Sequence, residues 1–151
     1  MNISNYKKVL SKYATGITVV TKKDKSNLIT GITVNSFVSI SLKPPYISWS
    51  LDKKTSNFKK FKDLKFFNIY FLSAKQINVS NYFSATNEIK KDSLIAKNLL
   101  KYNLVELNCK TIKTLNIGDH LFFIARVIKF NLKKEKKPLI YFSSKYQKLF
   151  W

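Results

Sequence analysis

The chain has 151 residues, a length that one domain with a single hydrophobic core ordinarily occupies. Hydrophobic residues make up 45% of it and aromatic residues 15%, which excludes the composition of a disordered chain. The formal net charge is +20, and of the 28 basic residues only Arg126 is an arginine.

Three absences narrow the class of protein further. No apolar run approaches the roughly 18 residues that span a bilayer, and residues 1–10 are polar, so we expect a cytoplasmic protein without a membrane partner. The only cysteine, Cys109, cannot form an intramolecular disulfide, which is consistent with a reducing compartment. One cysteine and one histidine cannot supply the four ligands of structural zinc, so we expect no metal.

The excess of lysine allows two interpretations. Lysine clusters are typical of phosphate-binding surfaces, which would indicate a nucleic-acid partner. Surfaces that read bases or clamp phosphates rely on the bidentate guanidinium, however, and this chain has a single arginine. We therefore expect the lysines to form a solvated surface and no nucleic acid to bind.

The first half of the chain predicts one short helix followed by strands. Apolar residues at helical spacing follow Ser4 and Asn5, either of which can cap a helix. The next segments are rich in β-branched residues, and Pro44 and Pro45 mark a connection because they cannot donate ladder hydrogen bonds. The expected elements are a helix over residues 6–13 and strands over 16–21, 28–34, 38–42 and 46–51.

The second half mixes helices and strands. Thr55 or Ser56 can cap a helix, and Ser73 with Gln76 has the spacing of a capping box. The expected elements are helices over residues 55–61, 76–83 and 87–101 and strands over 66–72, 105–109, 120–131 and 139–142.

Strands outnumber helices, and the helices do not alternate with every strand as crossovers would. This pattern favours an antiparallel barrel over a doubly wound sheet. We expect one domain over residues 1–151, mainly β with flanking helices.

Missing motifs exclude several enzyme classes. Gly16, Gly31 and Gly118 are the only glycines, so neither a G-x-G-x-x-G turn nor a P-loop can be formed. The eight acidic residues are scattered and no G-x-S-x-G elbow surrounds a serine, which argues against hydrolysis and metal-dependent chemistry. Chemistry carried by an organic cofactor remains.

The densest polar region is residues 31–56. Its hydroxyl, amide and ammonium groups follow the ends of two expected strands and enter an expected helix, a combination that suits a phosphate. The alternative is that Thr and Ser simply favour strands and caps, and the pattern alone does not decide between the two.

Four segments carry a resemblance to a known family, in order along the chain. They read YATGITVVT, GITVNSFVSISLKPPYISWSL, GDHLFFIARV and PLIYFSSKY. In them the sequence resembles the flavin reductase family of short-chain, FMN-binding split-barrel proteins, over residues 13–149. The resemblance implies a split β-barrel, a six-stranded antiparallel Greek-key barrel with flanking helices. It also implies a homodimer that holds FMN or FAD in a groove near the subunit interface.

The same resemblance implies the site residues. Those expected along the flavin ring are Thr33, Val34, Asn35 and Ser36, and those near its ribityl and phosphate groups are Ser50, Leu51, Lys53, Lys54, Thr55 and Ser56. Phe83 is expected beside the cofactor, His120 on the nicotinamide side, and Tyr141 and Tyr146 in the tail that closes the pocket.

The implied reaction is hydride transfer from NADH or NADPH to flavin N5, with a separate monooxygenase as a plausible recipient of the reduced flavin. Two alternatives stay open. One is a split-barrel protein that binds flavin without turnover. The other is a basic barrel that binds single-stranded nucleic acid through lysines and Tyr46, Trp49 and Phe58.

Three features of this chain depart from the family pattern. Relatives often carry Asn at the position of Tyr70 and a Gly-Gly pair at Ser143 and Ser144. The segment between Phe83 and Cys109 is also shorter than usual.

Overall fold

Four helices flank the sheets in the described part of the chain. The structure is a computed structural model that describes residues 2–84, 93–133 and 137–147. The first helix is capped by Asn2, whose side chain accepts from Asn5 N at 3.2 Å, and not by Ser4 or Asn5 as predicted. The helices are α1 (Ile3–Leu10), α2 (Phe58–Phe61), α3 (Ile77–Ser84) and α4 (Ser93–Leu100).

Ten strands form two antiparallel sheets in the same described ranges. A seven-stranded sheet has the order β3-β2-β6-β7-β8-β5-β4, and a three-stranded sheet has the order β1-β9-β10. The strands are β1 (Thr15–Gly16), β2 (Thr18–Lys23), β3 (Ile29–Val34), β4 (Val38–Leu42), β5 (Pro45–Asp52), β6 (Phe66–Phe71), β7 (Val105–Ile117), β8 (His120–Leu132), β9 (Ile140–Phe142) and β10 (Lys145–Gln147).

The mainly β fold with flanking helices is confirmed, but the closed six-stranded barrel is wrong. Within the described residues the large sheet has seven strands and ends at β3 and β4, with no ladder between β3 and β5. β7 and β8 are 13 residues each, and their pairing has two irregularities, at Asn108/Cys109 and Thr111/Lys113. Such irregularities bend a hairpin. β3 and β5 meet through side chains and not through a ladder, since Ile32 and Val34 pack against the cluster that contains Trp49.

The core lies on both faces of the large sheet. One cluster is centred on Trp49, which stacks on Phe123 with ring centroids 4.3 Å apart. The second cluster lies under α3 and α4 and contains Phe83 and Leu100. Because both faces are covered, β2 and β6 carry bulky side chains on each side, as the near-continuous apolar run in β6 predicts.

Two other sequence predictions can be compared with the structure. The capping box forms only in part: the Gln76 carboxamide oxygen accepts from Ser73 N at 2.9 Å, but Gln76 N donates to the Ser73 carbonyl and not to its hydroxyl, and α3 begins only at Ile77. Of the helix predicted over 87–101, α4 accounts for Ser93–Leu100, and residues 87–92 lie outside the described residues.

The turn between β9 and β10 has a backbone conformation that favours glycine at both of its positions, Ser143 and Ser144. Ser143 and Ser144 both have positive φ, 50° and 60°, in a two-residue hairpin loop where Phe142 pairs with Lys145. Left-handed backbone is unfavourable for a residue with a Cβ. The turn keeps its shape here with serines, and the Ser143 amide donates to Ser11 O at 2.7 Å.

None of the helices in the described ranges is both long and apolar enough to cross a bilayer.

Replacement of Gly31 by alanine should lower the stability of the protein measurably. A Cβ at this position would lie 2.6 Å from Cε1 of the buried Phe83 ring, so Gly31→Ala forces the core to shift. We expect a loss of about 1–3 kcal/mol in the free energy of unfolding, measured by urea denaturation. Gly16→Ala is the matched control, because a Cβ there meets no heavy atom within 4 Å. Equal midpoints for the two variants would contradict the packing.

Candidate functional site

The candidate site is built where β3 and β5 approach each other without pairing. β4 pairs with β5 as far as Ser48, so beyond that residue the β5 edge needs another partner. The Ser36 hydroxyl provides it: it accepts from Ser50 N at 2.9 Å and donates to Ser50 O at 3.1 Å. One side chain thus replaces a ladder position and joins the two strand ends.

We call this region the β3–β5 edge, defined by residues 33–36 and 50–56. In the described part of the chain β3 pairs only with β2, so the backbone groups on its other side have no ladder partner there. Asn35 is exposed there and Ser50 is half-buried. The structure therefore brings together Asn35, Ser36 and Ser50, which the sequence analysis placed at one site.

The turn after β7 joins the same region. Asp52 at the end of β5 pairs with His120 at the start of β8. Lys53 binds the turn itself, since its Nζ donates to Gly118 O at 2.8 Å and its amide to Asp119 O at 3.0 Å. His120 and Lys53 consequently lie at the end of the sheet where β5 ends, three residues after Ser50 in the case of Lys53.

The imidazole of His120 is oriented by its neighbour. Its Nδ1 lies 2.7 Å from the Asp119 carboxylate. The hydrogen bond from His120 holds the pKa of the Asp119 carboxyl below its usual value of 3.8, so this group is ionised at neutral pH. An ionised carboxylate only accepts, so Nδ1 carries the proton. Nε2 is then the ring nitrogen available to a ligand.

The segment after β5 folds into a turn around Asp52. Its carboxylate accepts from Lys54 N at 2.8 Å and its carbonyl from Thr55 N at 3.2 Å. The Thr55 hydroxyl accepts from Asn57 N at 3.4 Å, while Lys54 and Ser56 are exposed. This turn presents an ammonium group and hydroxyls to solvent directly before α2, as the sequence analysis expected.

Two expected site residues have side chains in the core. Leu51 is 0% exposed and belongs to the Trp49 cluster, so only its backbone can face a ligand. Phe83 is 1% exposed, and its ring packs on Gly31. The second core cluster encloses the Phe83 ring, and its position beside a cofactor stays a prediction.

The tail residues bind α3 instead of the β3–β5 edge. The Tyr146 hydroxyl lies 2.9 Å from Ser80 Oγ and donates to Asn81 Oδ1 at 3.0 Å. Thr33 Oγ1 donates to the carbonyl of the same Ser80 at 2.7 Å. The Tyr141 and Tyr146 rings meet edge to face, 5.7 Å apart. Thr33 and both tyrosines therefore form a group on the α3 side of β3, whereas Val34 packs against the Trp49 cluster.

Two residues of this region were missed by the sequence analysis. Ser80 links Thr33 to Tyr146, but in the sequence it is one serine in a mixed helical stripe, with no signal that marks it. Asp119 stands beside the only histidine in the chain. An acidic residue next to a histidine is a usable signal, because a carboxylate can select the tautomer of the ring.

Away from this edge, burial raises the pKa of two other groups. Burial, with the nearby Glu106 carboxylate, raises the pKa of Tyr70 to about 12, although the hydrogen bond from Asn68 acts in the opposite direction. Burial alone raises the pKa of the Cys109 thiol to about 12. Both groups are neutral at physiological pH, so neither offers a nucleophile or a base.

The aromatic residues that a nucleic-acid barrel would use are not available. Trp49 is 0% exposed and is covered by Phe67 and Phe123. Tyr46 and Phe58 are half-buried. Base stacking needs an open ring face, so the structure argues against this alternative. No group of three or more His, Cys, Asp or Glu side chains able to hold a metal occurs among the residues described.

Comparison with known proteins decides the family. Residues 10–149 match the family described as Flavin reductase like domain. The chain belongs to this family. It is 31% identical over 133 residues to the FMN reductase (NADH) SmoA of Agrobacterium fabrum, covering 85% of this chain and 76% of that protein. It is 27% identical over 146 residues to the 4-hydroxyphenylacetate 3-monooxygenase reductase component of Thermus thermophilus, covering 97% of this chain and 96% of that protein.

Solved structures agree with the assignment. The flavin reductase PheA2 in its native state superposes with a TM-score of 0.86 at 26% identity and full coverage of both chains, 100% each. The styrene monooxygenase flavin reductase of Pseudomonas putida S12 gives a TM-score of 0.84 at 26% identity, over 97% of this chain and 98% of that chain. Family and fold are therefore shared along nearly the whole chain.

Removal of the Ser36 hydroxyl should lower the free energy of unfolding, because this group joins the two strands at the β3–β5 edge. Ser36→Ala leaves Ser50 N and O without their partner, and we expect a loss of about 1 kcal/mol in the free energy of unfolding. Ser36→Thr keeps the hydroxyl, and Ser39→Ala removes one from an exposed position on β4. Urea denaturation distinguishes them: Ser39→Ala should equal the wild type, and an equal loss in both alanine variants would contradict the bridge.

Proposed function

We propose that the protein is an NAD(P)H-dependent flavin reductase that transfers a hydride from a reduced nicotinamide to flavin N5. The proposal is supported above all by the β3–β5 edge of this Flavin reductase like domain, where hydroxyls and ammonium groups lie beside His120, the only histidine of the chain. Four relatives have names that specify NADH. NADH is therefore the donor to be tested first, with NADPH as the alternative.

The residues at this edge fit FMN or FAD. Backbone groups on the outer side of β3, over residues 33–36, suit the polar edge of a flavin ring. The exposed turn over residues 53–56, with Lys54 and two hydroxyl side chains before α2, suits a phosphate. Leu51 contributes backbone alone, and Phe83 supports the site from the core through Gly31.

The chain's own residues orient the reactants and do not transfer protons in the hydride step. A bound flavin supplies the hydride acceptor. Ser36 fixes the distance between the strand ends, Lys54 balances phosphate charge, and His120 presents Nε2 to the nicotinamide. The neutral Tyr70 and Cys109 take no part, and this accords with a site that has no general base.

The alternative of flavin binding without turnover is tested in the same experiment. Purified protein with FMN or FAD under anaerobic conditions is given NADH or NADPH, and flavin absorbance is followed. Bleaching supports the reductase, and retention of oxidised flavin with both donors favours the binding protein.

Replacement of His120 tests its assignment to the nicotinamide. His120→Ala removes the Nε2 contact, so we expect the KM for NADH to rise about tenfold while the Kd for FMN stays within about twofold. Steady-state NADH oxidation and quenching of FMN fluorescence measure the two constants. The KM for NADH of His120→Gln, which keeps a polar group, should lie between those of the wild type and His120→Ala. An unchanged KM for NADH in the alanine variant would remove His120 from this role.

We also propose a homodimer and a flavin-dependent monooxygenase as partners, in the cytoplasm. Large apolar side chains are exposed on β4, an edge strand, and on the second half of β8. Groups of exposed apolar side chains are typical of interfaces. The exposed apolar residues are Val38, Ile40, Leu42, Ile128, Phe130 and Leu132.

The monooxygenase partner is supported by two relatives whose names make them reductase components of monooxygenases. The cytoplasm is supported by the free, buried Cys109 thiol, which fits a reducing compartment.

The dimer is tested at Leu42, which is 88% exposed on the edge strand β4. Leu42→Glu places a charge in the proposed interface, so we expect at least a tenfold weaker dimer, with monomer seen by light scattering at micromolar concentration. Val9→Glu, at a position 66% exposed on α1, is the matched control and should remain dimeric. A monomeric wild type would overturn the proposal.

A further inference from the structure

We propose that Lys53 is a positioning residue for His120, acting through the turn that joins β7 and β8. This inference rests on the proposed function, in which His120 contacts the nicotinamide. It departs from the sequence analysis, which assigned Lys53 to the ribityl and phosphate groups of the flavin.

The argument begins with the turn. Ile117 pairs with His120, so Gly118 and Asp119 form a two-residue turn at the tip of a long hairpin, and Gly118 has a φ of +54°. Lys53 binds both carbonyls of this turn, Gly118 O through Nζ at 2.8 Å and Asp119 O through its amide at 3.0 Å. A single residue from β5 thus holds the backbone of the turn at two points.

The second step runs from the turn to the imidazole. The Asp119 carboxylate lies 2.7 Å from His120 Nδ1, but the two side chains are 74% and 42% exposed. An ion pair or hydrogen bond so accessible to water loses most of its strength to competing solvent and side-chain freedom. Fixing the Asp119 backbone lowers the entropy that must be lost to keep this geometry. The orientation of Nε2 therefore depends on the two bonds that Lys53 makes.

The third step concerns what the Lys53 ammonium can still do. At 2.8 Å from a carbonyl oxygen its charge is directed at the turn. The neighbouring Lys54 is exposed; its amide donates to the Asp52 carboxylate, and its charge adds to the hydrogen bond from His120 in lowering the pKa of the Asp119 carboxyl. The two adjacent lysines are thus divided between tasks: Lys53 positions His120, and Lys54 faces the anionic ligand.

The experiment compares Lys53→Met with Lys53→Arg and with Lys23→Met, a lysine-to-methionine control at the far end of β2. The backbone bond from residue 53 survives in every variant, so the side-chain bond alone is tested. We expect Lys53→Met to raise the KM for NADH about five- to tenfold, with the Kd for FMN within about twofold of the wild type. Lys53→Arg should recover most of the loss, and Lys23→Met should match the wild type.

A readout independent of activity comes from the single histidine of the chain. In a ¹H–¹⁵N spectrum of the imidazole, the wild type should show the Nδ1-protonated form of His120 near neutral pH. Lys53→Met should move this spectrum toward the mixture given by Asp119→Asn, and Lys53→Arg should restore it.

The outcomes separate the two claims. A weaker Kd for FMN in Lys53→Met makes Lys53 a phosphate ligand and overturns the inference. An unchanged KM for NADH together with an unchanged imidazole spectrum also overturns it. If the wild type does not oxidise NADH at all, the proposed function fails, and the imidazole spectra still decide whether Lys53 positions His120.

Discussion

The molecule depends on how an open sheet is held at the place where two of its strands stop pairing. The Ser36 hydroxyl both accepts from and donates to the backbone of Ser50, so it occupies the position that a neighbouring strand would take. A backbone group that is removed from water must find a partner, and here a side chain provides it without filling the space beyond. β3 and β5 are therefore joined at this point without a ladder between them, and Trp49 in the neighbouring core remains fully buried.

The same end of the sheet shows how little acid–base chemistry the reaction needs from the chain. Its ionisable groups are an imidazole beside a carboxylate, two lysines in different surroundings, and the Asp52 carboxylate, which accepts from the Lys54 amide. Each of them orients something or balances charge. A cofactor that carries the hydride chemistry leaves the protein with binding, distance and electrostatics, and the geometry of the β3–β5 edge corresponds to that division.

Sequence reasoning succeeded where local rules apply. The strands, the Gln76 side chain that binds Ser73 N and the turn after β5 follow from β-propensity, side chains that bind nearby backbone, and hydroxyl-rich strand ends. It failed where contacts distant in sequence decide. No local pattern shows that Gly31 and the Phe83 ring, far apart in the sequence, pack against each other in the core. The number of strands and the open sheet also escaped prediction, since ladder partners and irregularities in a 13-residue hairpin have no local signature.

By itself the sequence determined the class of chemistry: with three glycines, one cysteine, one histidine and scattered acids, few mechanisms other than cofactor-borne transfer remain. It also determined the family, whose match covers residues 10–149. Only the tertiary structure decided which of the polar residues act together. Lys53 and Lys54 are adjacent and chemically identical in the sequence, yet one binds the β7–β8 turn and the other faces solvent. The reason is that the partner of Lys53 lies 65 residues away and reaches it only when β5 and β8 pair.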